Sequence, residues 1–307
     1  MNGYLGVDFS GLSLTKSNLE RACRRILSDG NCAGFLVTLI TSSDEVYAKN
    51  LPMIADMIEK DIFEGRVLGV HLEGPFVSPK RGARGCHPSE HCREPNVAYL
   101  KRLSKLARGH IKLITLAPEL PGAVELVGAA RALGIAAVSL GHTLANKEDI
   151  ERAVDAGATM ATHVMNGLPN LIHRHNNPIW PLLADDRIAC CVIGDGNHVP
   201  ISALTTIVRT KGTKNVILTS DAAPPAGLSD GIHLCFGQQV RVKRSRILAA
   251  SGENLAGSGS LLNQCVRFIR KNVPEINSKD IEAMAFYNPL RAIGIDPKVF
   301  LKRNTYS

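Results

Sequence analysis

Five apolar runs in this chain each lead into residues that can bind a metal ion or transfer a proton. Short unbroken apolar runs are typical of buried parallel strands. In a (β/α)8 barrel, the active site gathers at the carboxyl ends of such strands. The runs lie far apart in the sequence, so their end residues could meet only in a fold of this kind. The candidates for one shared pocket are Glu73, His142, His163, His198 and Asp221.

Helical and strand-like patterns alternate along most of the chain, which favours a parallel sheet with crossover helices. We expect an α/β fold, a (β/α)8 TIM-type barrel, forming a single domain over residues 1–307 with an irregular β-hairpin insertion at about 222–260. Seven strands are predicted, as the second to the eighth of the barrel, at 34–40, 67–72, 111–116, 135–140, 159–163, 188–193 and 216–218. Helices are predicted at 19–27, 46–59, 97–106, 123–133, 147–156, 201–210, 261–271 and 280–286.

The place of the first strand is occupied by a poor candidate, residues 2–9, which glycine interrupts at positions 3 and 6. A barrel that lacks its first strand leaves two unpaired sheet edges facing each other. Three explanations are open at this stage. The true start lies upstream of Met1, another segment or a partner chain fills the gap, or the chain is a degenerate homologue of low stability and activity.

Composition excludes several classes of protein. No apolar stretch approaches the roughly 20 residues of a membrane span, and the N-terminus has no signal-peptide pattern. The 8 cysteines show no C-x-x-C spacing, which indicates reduced thiols and a cytoplasmic protein. The net charge is +8, but no basic stripe with interleaved aromatic residues predicts nucleic-acid binding. The positive charge instead favours an anionic small substrate.

The five strand-end residues suit metal-assisted hydrolysis. One carboxylate and two imidazoles with an open position are a standard catalytic zinc set, which Glu73, His142 and His163 match. Asp221 is placed to move a proton, and His198 to orient a carbonyl oxygen. A single histidine after a strand is more often structural than a ligand. Three such residues at separate strand ends are much harder to explain as structure alone.

Long irregular segments follow two of these strands, where a barrel places its substrate contacts. The segment at 76–95 contains His87, whose role spacing alone leaves undecided. The segment at 167–181 contains His173, Arg174 and His175, a basic group that suits a phosphate or carboxylate. A solvated loop is an equally good explanation of that basic group at this point.

The chain resembles the N-acetylglucosamine-6-phosphate deacetylase family of the amidohydrolase superfamily. The matching motifs occur in the family's order, and the ordered set is far more specific than any one of them. They are GVDF at 6–9, HLEGPF at 71–76, GHT at 141–143, ATHVMN at 161–166, HR at 173–174, DGNH at 195–198, TSDA at 219–222, LAGS at 255–258 and NPLRA at 288–292.

This resemblance implies a (β/α)8 barrel that hydrolyses the N-acetyl group of an amino-sugar phosphate. Glu73, His142 and His163 would hold one divalent metal ion per subunit, with zinc expected and iron, manganese or cobalt also compatible. Asp221 would be the general acid/base and His198 a substrate contact. The other implied substrate contacts are Cys86, His87, Asn166, Gly167, Arg174, Leu255, Ala256 and Gly257. The resemblance also implies a possible homodimer, whereas composition alone argues against a nucleic-acid or membrane partner.

The chain departs from the family in several places. The family has a small β-sandwich formed by both ends of the chain, and here it is apparently truncated together with the first barrel strand. Asn2 matches the last residue of a first-strand motif, where it replaces a histidine ligand and thus argues for one metal rather than two. Because the match begins in register at Asn2, an upstream start is the favoured explanation, and a native N-terminal peptide beginning at Met1 or Asn2 would rule it out. A smaller residue usually stands where this chain has Cys86.

Two other functions compete with the deacetylase. One is an amidohydrolase with a different acylated or cyclic amide as substrate, since the loops at 76–95 and 222–260 are where substrate choice would change. The other is a catalytically weakened homologue that binds a sugar phosphate. Metal analysis distinguishes this second alternative, because such a homologue need not retain stoichiometric metal.

Overall fold

The computed structural model of the protein describes residues 1–249 and 255–304. A short antiparallel pair, β1 (Gly3–Tyr4) and β2 (Val7–Asp8), opens the chain. Seven parallel strands then form one curled sheet in sequence order. They are β3 (Phe35–Ile40), β4 (Val67–Glu73), β5 (Ile111–Leu116), β6 (Ala137–Leu140), β7 (Met160–Ala161), β8 (Ala189–Ile193) and β9 (Val216–Thr219). The seven predicted strands are therefore confirmed, with bounds that differ from the predicted ones by at most two residues.

Helices connect the strands and cover the outer face of the sheet. They are α1 (Lys16–Asp29), α2 (Asp44–Glu59), α3 (Val97–Leu106), α4 (Ala123–Ala132), α5 (Lys147–Asp155), α6 (Ile179–Ala184) and α7 (Ile201–Lys211). The start of α2 shows why these segments are helical. Ser43 accepts a hydrogen bond from the Val46 amide, and Asp44 and Glu45 follow in the first turn, where the helix dipole favours acids. Pro52 lies inside this helix, which begins eight residues before it.

The strands are buried on both faces, which is why their sequences are almost continuously apolar. Outward-facing residues such as Leu72 and Ile114 are fully buried against the helices. Inward-facing residues of β5 to β9 form a separate apolar layer inside the curled sheet, and this layer is the floor beneath the strand ends. Its members are Leu113, Ala137, Met160, Cys191 and Ile217.

Met1 and Asn2 join the two free edges of the sheet, β3 and β9, at the level of the strand ends. The Thr38 amide donates to the Met1 carbonyl at 2.9 Å, and the Asn2 amide donates to the Ala222 carbonyl at 2.9 Å. Below them lies a cavity of about 680 Å³, lined among others by Leu36. These two residues bridge the free edges at the level of the strand ends, and below them the sheet is a barrel open on one side.

A second sheet follows β9 and covers part of its end. It is antiparallel, in the order β10 (Gly231–Cys235), β11 (Gln238–Lys243), β12 (Arg246–Ala249) and β13 (Leu255–Ser258). The sequence predicted only its central hairpin, and residues 250–254 of that predicted insertion lie outside the described part of the chain. The Ser258 amide donates to the Asp221 carbonyl at 3.1 Å, which attaches β13 directly to the end of β9.

The C-terminal part is helical and packs near the lower end of β9. It comprises α8 (Leu262–Asn272), α9 (Ser278–Glu282), a π-helical turn over Ala283–Tyr287, α10 (Asn288–Ala292) and α11 (Pro297–Asn304). Asn288 is buried, and its side-chain amide donates to the Val216 carbonyl at 2.8 Å, satisfying the edge of β9. Within the described residues, no helix has both the length and the apolar character needed to cross a membrane.

Candidate metal-dependent active site

Glu73, His142 and His163 converge on one point at the carboxyl edge of the sheet. Glu73 Oε1 lies 2.9 Å from His142 Nε2 and 3.2 Å from His163 Nε2, and the two imidazole nitrogens are 3.0 Å apart. All three residues are buried. Ligand atoms this close around a single point could hold a metal ion, and the three strand ends supply them as the sequence predicted.

The hydrogen bond behind His142 supports this assignment. Its Nδ1 lies 2.9 Å from the Ala83 carbonyl, which only accepts, so Nδ1 carries the proton and Nε2 presents a lone pair to Glu73 and His163. A backbone acceptor behind a histidine is the usual arrangement for a metal ligand. Two buried imidazole nitrogens and a carboxylate facing one another fit a cation between them.

The electrostatics of the three groups reflect their proximity. Burial by itself raises the pKa of Glu73, but the surrounding imidazoles of His142, His163 and His87 outweigh burial and hold that pKa well below its usual range. Burial lowers the pKa of His163, but the hydrogen bond and charge of Glu73 outweigh burial and raise it to about 8. The Glu73 carboxylate therefore stays charged. It favours a positive charge beside it, either a proton on His163 or a metal ion.

The backbone turns sharply at three of the predicted site residues. His142, His163 and Asp221 have φ angles of 52°, 29° and 47°, in the left-handed region that non-glycine residues rarely adopt. Such conformations cost on the order of 1–3 kcal/mol each and cluster at functional sites. No local sequence signal predicted them, because each follows an ordinary apolar strand.

His87 lies beside the metal cluster rather than only among the substrate contacts. Its Nε2 is 3.6 Å from Glu73 Oε1 and has no hydrogen-bond partner among the described residues. The Thr41 amide lies 3.4 Å from His87 Nδ1 and donates to it, so Nε2 carries the proton of the neutral ring. Burial lowers the pKa of His87 to about 4, which keeps the ring neutral. His87 is thus a buried donor pointing at the metal cluster, although Glu73, His87 and His142 by distance alone could also share an ion.

Asp221 lies at the end of β9, where Asn2 holds it. The Asn2 side-chain amide donates to Asp221 Oδ1 at 2.8 Å. Burial raises the pKa of Asp221, and the negative charge of Glu73 adds to that shift. A carboxylate whose proton affinity is increased beside a metal cluster is suited to accept and return a proton.

His198 is held separately, on the turn after β8. Its Nδ1 lies 2.9 Å from Asp195 Oδ2, and both side chains are buried. No described contact joins His198 to the metal cluster. The ring is therefore oriented by Asp195, and its role toward substrate remains a prediction.

Two groups of the predicted substrate contacts lie close to the predicted metal ligands or to Asp221. Asn166 donates to the His163 carbonyl at 3.2 Å, and a Cβ at Gly167 would lie 2.9 Å from His142 Nδ1, so both border the ligands. Leu255, Ala256 and Gly257 are the first three residues of β13, and a Cβ at Gly257 would lie 3.9 Å from the Asp221 carbonyl.

Cys86 and Arg174 are the last two predicted substrate contacts. Burial raises the pKa of the Cys86 thiol, and the charges of Glu73 and Asp221 add to the shift, which places Cys86 near both carboxylates. Arg174 is exposed on the loop before α6, where its carbonyl accepts a hydrogen bond from Trp180 Nε1 at 2.7 Å. The structure does not bring Arg174 into contact with the metal cluster.

Sequence reasoning missed several residues that hold the site together. Thr41, directly after β3, has its hydroxyl 2.8 Å from His87 Nδ1, and the same strand-end signal could have identified it. Glu119, just beyond β5, accepts a hydrogen bond from the Leu144 amide at 2.7 Å and another from the Thr143 hydroxyl. His71, two residues before Glu73 on β4, has Nε2 2.8 Å from the Thr115 hydroxyl inside the sheet.

We expect Glu119→Gln to weaken metal binding about 10-fold while the protein stays folded. Glu119 fixes the turn immediately after His142, and loss of residues that orient metal ligands typically costs 10- to 100-fold in affinity. Competition with a chelating dye would measure the affinity. Glu125→Gln, in the first turn of α4, is the matched control, and equal affinities of the two variants would contradict the role of Glu119.

Comparison with known proteins gives consistent matches. The chain is 37% identical to N-acetylglucosamine-6-phosphate deacetylase of Bos taurus over 97% of its own length and 73% of the relative's. It is 33% identical to the protein of the same name from Bacillus subtilis, over 96% and 73% of the two chains. The structure superposes on a mutant of that deacetylase from Mycobacterium smegmatis, in complex with N-acetyl-D-glucosamine-6-phosphate, with a TM-score of 0.85, 26% identity and coverage of 96% and 76%.

A curled parallel sheet with a Glu/His/His cluster at its carboxyl edge defines a metal-dependent hydrolase of the TIM-barrel type. The family model for amidohydrolases matches residues 13–299. The chain belongs to the amidohydrolase family, and within it to the N-acetylglucosamine-6-phosphate deacetylases.

Proposed function

We propose that this protein removes the N-acetyl group from N-acetyl-D-glucosamine 6-phosphate, giving D-glucosamine 6-phosphate and acetate. The observation that carries the proposal is the convergence of Glu73, His142 and His163, with Asp221 close enough for its pKa to respond to Glu73. The relatives named above support the choice of substrate.

The chain's own residues divide the chemistry between them. A divalent ion bound by Glu73, His142 and His163 would polarise the amide carbonyl and make water more acidic. Asp221 takes a proton from the attacking water and later gives it to the leaving amine nitrogen. Asn2 holds one oxygen of Asp221, so the other remains available for the proton.

His87 and His198 are two candidates to donate a hydrogen bond to the substrate. The sequence favoured His198 for the carbonyl oxygen. His87 Nε2 is buried, unpaired among the described residues and aimed at the metal cluster, so it is the better placed donor for an oxygen that gains negative charge there. His198 then contacts another part of the sugar phosphate.

The remaining contacts surround the sugar and its phosphate. Their proximity to the ligands supports Asn166 and Gly167 as contacts near the acetyl group, and their position on β13 beside Asp221 supports Leu255, Ala256 and Gly257. Cys86 borders His87 in the same pocket. Arg174, on an exposed basic loop, meets the phosphate.

The proposal extends to the identity of the metal, the number of ions per chain and the oligomeric state. Zinc is the expected ion because a Glu/His/His set with an open position is typical of catalytic zinc, although iron, manganese and cobalt suit the same donors. One ion per chain is expected, since Asn2 donates to Asp221 where a second ligand would stand. A homodimer in the cytoplasm is the expected state of the protein.

Acetate release tests the function directly. Purified protein loaded with zinc should release one acetate for each glucosamine 6-phosphate formed from the phosphorylated N-acetyl sugar. Failure to do so, with metal bound stoichiometrically, would refute the proposed function.

We expect Arg174→Ala to raise KM for the phosphorylated sugar about 10- to 100-fold. A charged hydrogen bond to phosphate contributes roughly 1.5–3 kcal/mol, which corresponds to that range. For N-acetylglucosamine without the phosphate, KM should be unchanged. Arg209→Ala, on the exposed face of α7, is the matched control. Equal KM values for Arg174→Ala and the unaltered protein would show that the phosphate lies elsewhere.

A further inference from the structure

Asp195 is a buried carboxylate with an unusually complete set of donors. Its Oδ1 accepts from the Asn197 amide at 2.8 Å and the His198 amide at 3.0 Å. Its Oδ2 accepts from His198 Nδ1 at 2.9 Å and the Ser258 hydroxyl at 3.1 Å. Burial raises the pKa of Asp195, but the hydrogen bond from His198 and the other donors outweigh burial and lower it to about 2. The carboxylate is therefore ionised at any ordinary pH.

An ionised carboxylate can only accept, and this settles the tautomer of His198. Nδ1 must carry the proton that it donates to Asp195, so Nε2 is the nitrogen left for another partner. The amide and the ring of His198 bind different oxygens of the same carboxylate, which fixes the ring plane as well as the tautomer. The Cys265 thiol of α8 also lies near Asp195, and because burial raises its pKa it stays neutral.

Ser258 connects this arrangement to Asp221. It is completely buried at the end of β13. Its hydroxyl donates to Asp195, its amide donates to the Asp221 carbonyl at 3.1 Å, and its carbonyl accepts from the Ala223 amide at 2.9 Å. One small residue thereby links the turn that carries His198 to the strand end that carries Asp221.

We propose that Asp195 and Ser258 are positioning residues, which hold His198 with Nε2 toward the substrate and set its placement relative to Asp221. This inference rests on the proposed function, because it takes His198 as a substrate contact. Asp195 selects the tautomer and the ring orientation. Ser258 keeps the carboxylate in place and couples it to the backbone of Asp221.

The first test is spectroscopic and needs no substrate. In protein labelled with ¹⁵N at histidine, the His198 ring signals are assigned by their absence in His198→Gln. At a pH where the His198 ring is neutral, the unaltered protein should show its Nδ1–H tautomer. In Asp195→Asn the amide can also donate to Nδ1, so a mixture of tautomers should appear. An unchanged tautomer in Asp195→Asn would overturn the proposal, whatever the activity.

The second test is kinetic. We expect Asp195→Asn to lower kcat/KM for N-acetylglucosamine 6-phosphate about 10- to 100-fold, and Ser258→Ala about 3- to 10-fold, with metal content unchanged. Ser260→Ala, a buried serine two residues further on, is the matched control and should stay within about twofold. A changed tautomer with kcat/KM within twofold in both Asp195→Asn and Ser258→Ala would also overturn the proposal. If the unaltered, metal-loaded protein released no acetate, the proposed function would fail. The tautomer measurement alone would then decide whether Asp195 and Ser258 position His198.

Discussion

Asp221→Asn is expected to reduce acetate release about 100- to 10,000-fold while the metal remains bound. General acid–base groups typically contribute that range, and Asp221 is the carboxylate whose pKa is raised beside the cluster. The asparagine keeps the size of the side chain and its contact with Asn2, so the fold and the ligands should be preserved. The measurement is kcat for acetate release, together with metal content by mass spectrometry.

The control for this prediction is Asp186→Asn, on the exposed surface before β8. It makes the same chemical change away from the strand ends and should leave kcat unchanged. Activity of Asp221→Asn equal to that of Asp186→Asn would remove Asp221 from the mechanism, even if the protein were an active deacetylase.

Glu73→Gln and His142→Ala are expected to lose the metal, with stoichiometry falling from about one ion per chain to near zero after dialysis. Both residues supply atoms to the point where three ligands meet within about 3 Å of one another. An amide is a poorer ligand than a carboxylate, and alanine supplies none. Activity should fall with metal content and recover only partly in excess zinc.

His110→Ala is the matched control for these variants. His110 stands at the amino end of β5, at the opposite end of the sheet, where its Nε2 lies 3.1 Å from Glu59. Metal content should be unchanged. If the Glu73→Gln variant and the His142→Ala variant both retained their full metal content, the ion would have to bind elsewhere in the chain.

Metal loading should also depend on pH in a defined direction. The pKa of His163 is about 8 in the metal-free protein, so below that pH its nitrogen holds a proton that the ion must displace. The apparent metal affinity should therefore fall as pH decreases below about 8. An affinity that is constant between pH 6 and pH 9 would contradict this competition.

Much of the site could be predicted because its residues follow local signals. Each predicted metal ligand stands at the end of a buried apolar run, and the pattern of such runs identifies parallel strands without knowledge of their neighbours. Asp221 follows the same rule on β9. The alternation of strands and helices then predicts which edge of the sheet these residues share.

The residues that orient the site followed no such rule. Thr41 and Glu119 act through side-chain hydrogen bonds to His87 and Leu144, across 46 and 25 positions of sequence. The backbone at His142 and Asp221 is left-handed, a conformation that is uncommon for any non-glycine residue, even though histidine and aspartate adopt it more often than most. The apolar periodicity of a strand predicts which of its faces is buried. It does not predict which loop residue will contact that strand's end.

The sequence by itself determined the parallel α/β architecture, the seven strands of the curled sheet and the strand ends at which Glu73, His142 and His163 stand. These depend on short-range apolar patterns and on residue type, both of which are readable locally. Only the tertiary structure decided that Met1 and Asn2 bridge the open edges, that His87 points at Glu73, and that Ser258 binds Asp195 across 63 positions. Such contacts depend on the curvature of the sheet and on the path of irregular loops, where a shift of one residue would replace every partner.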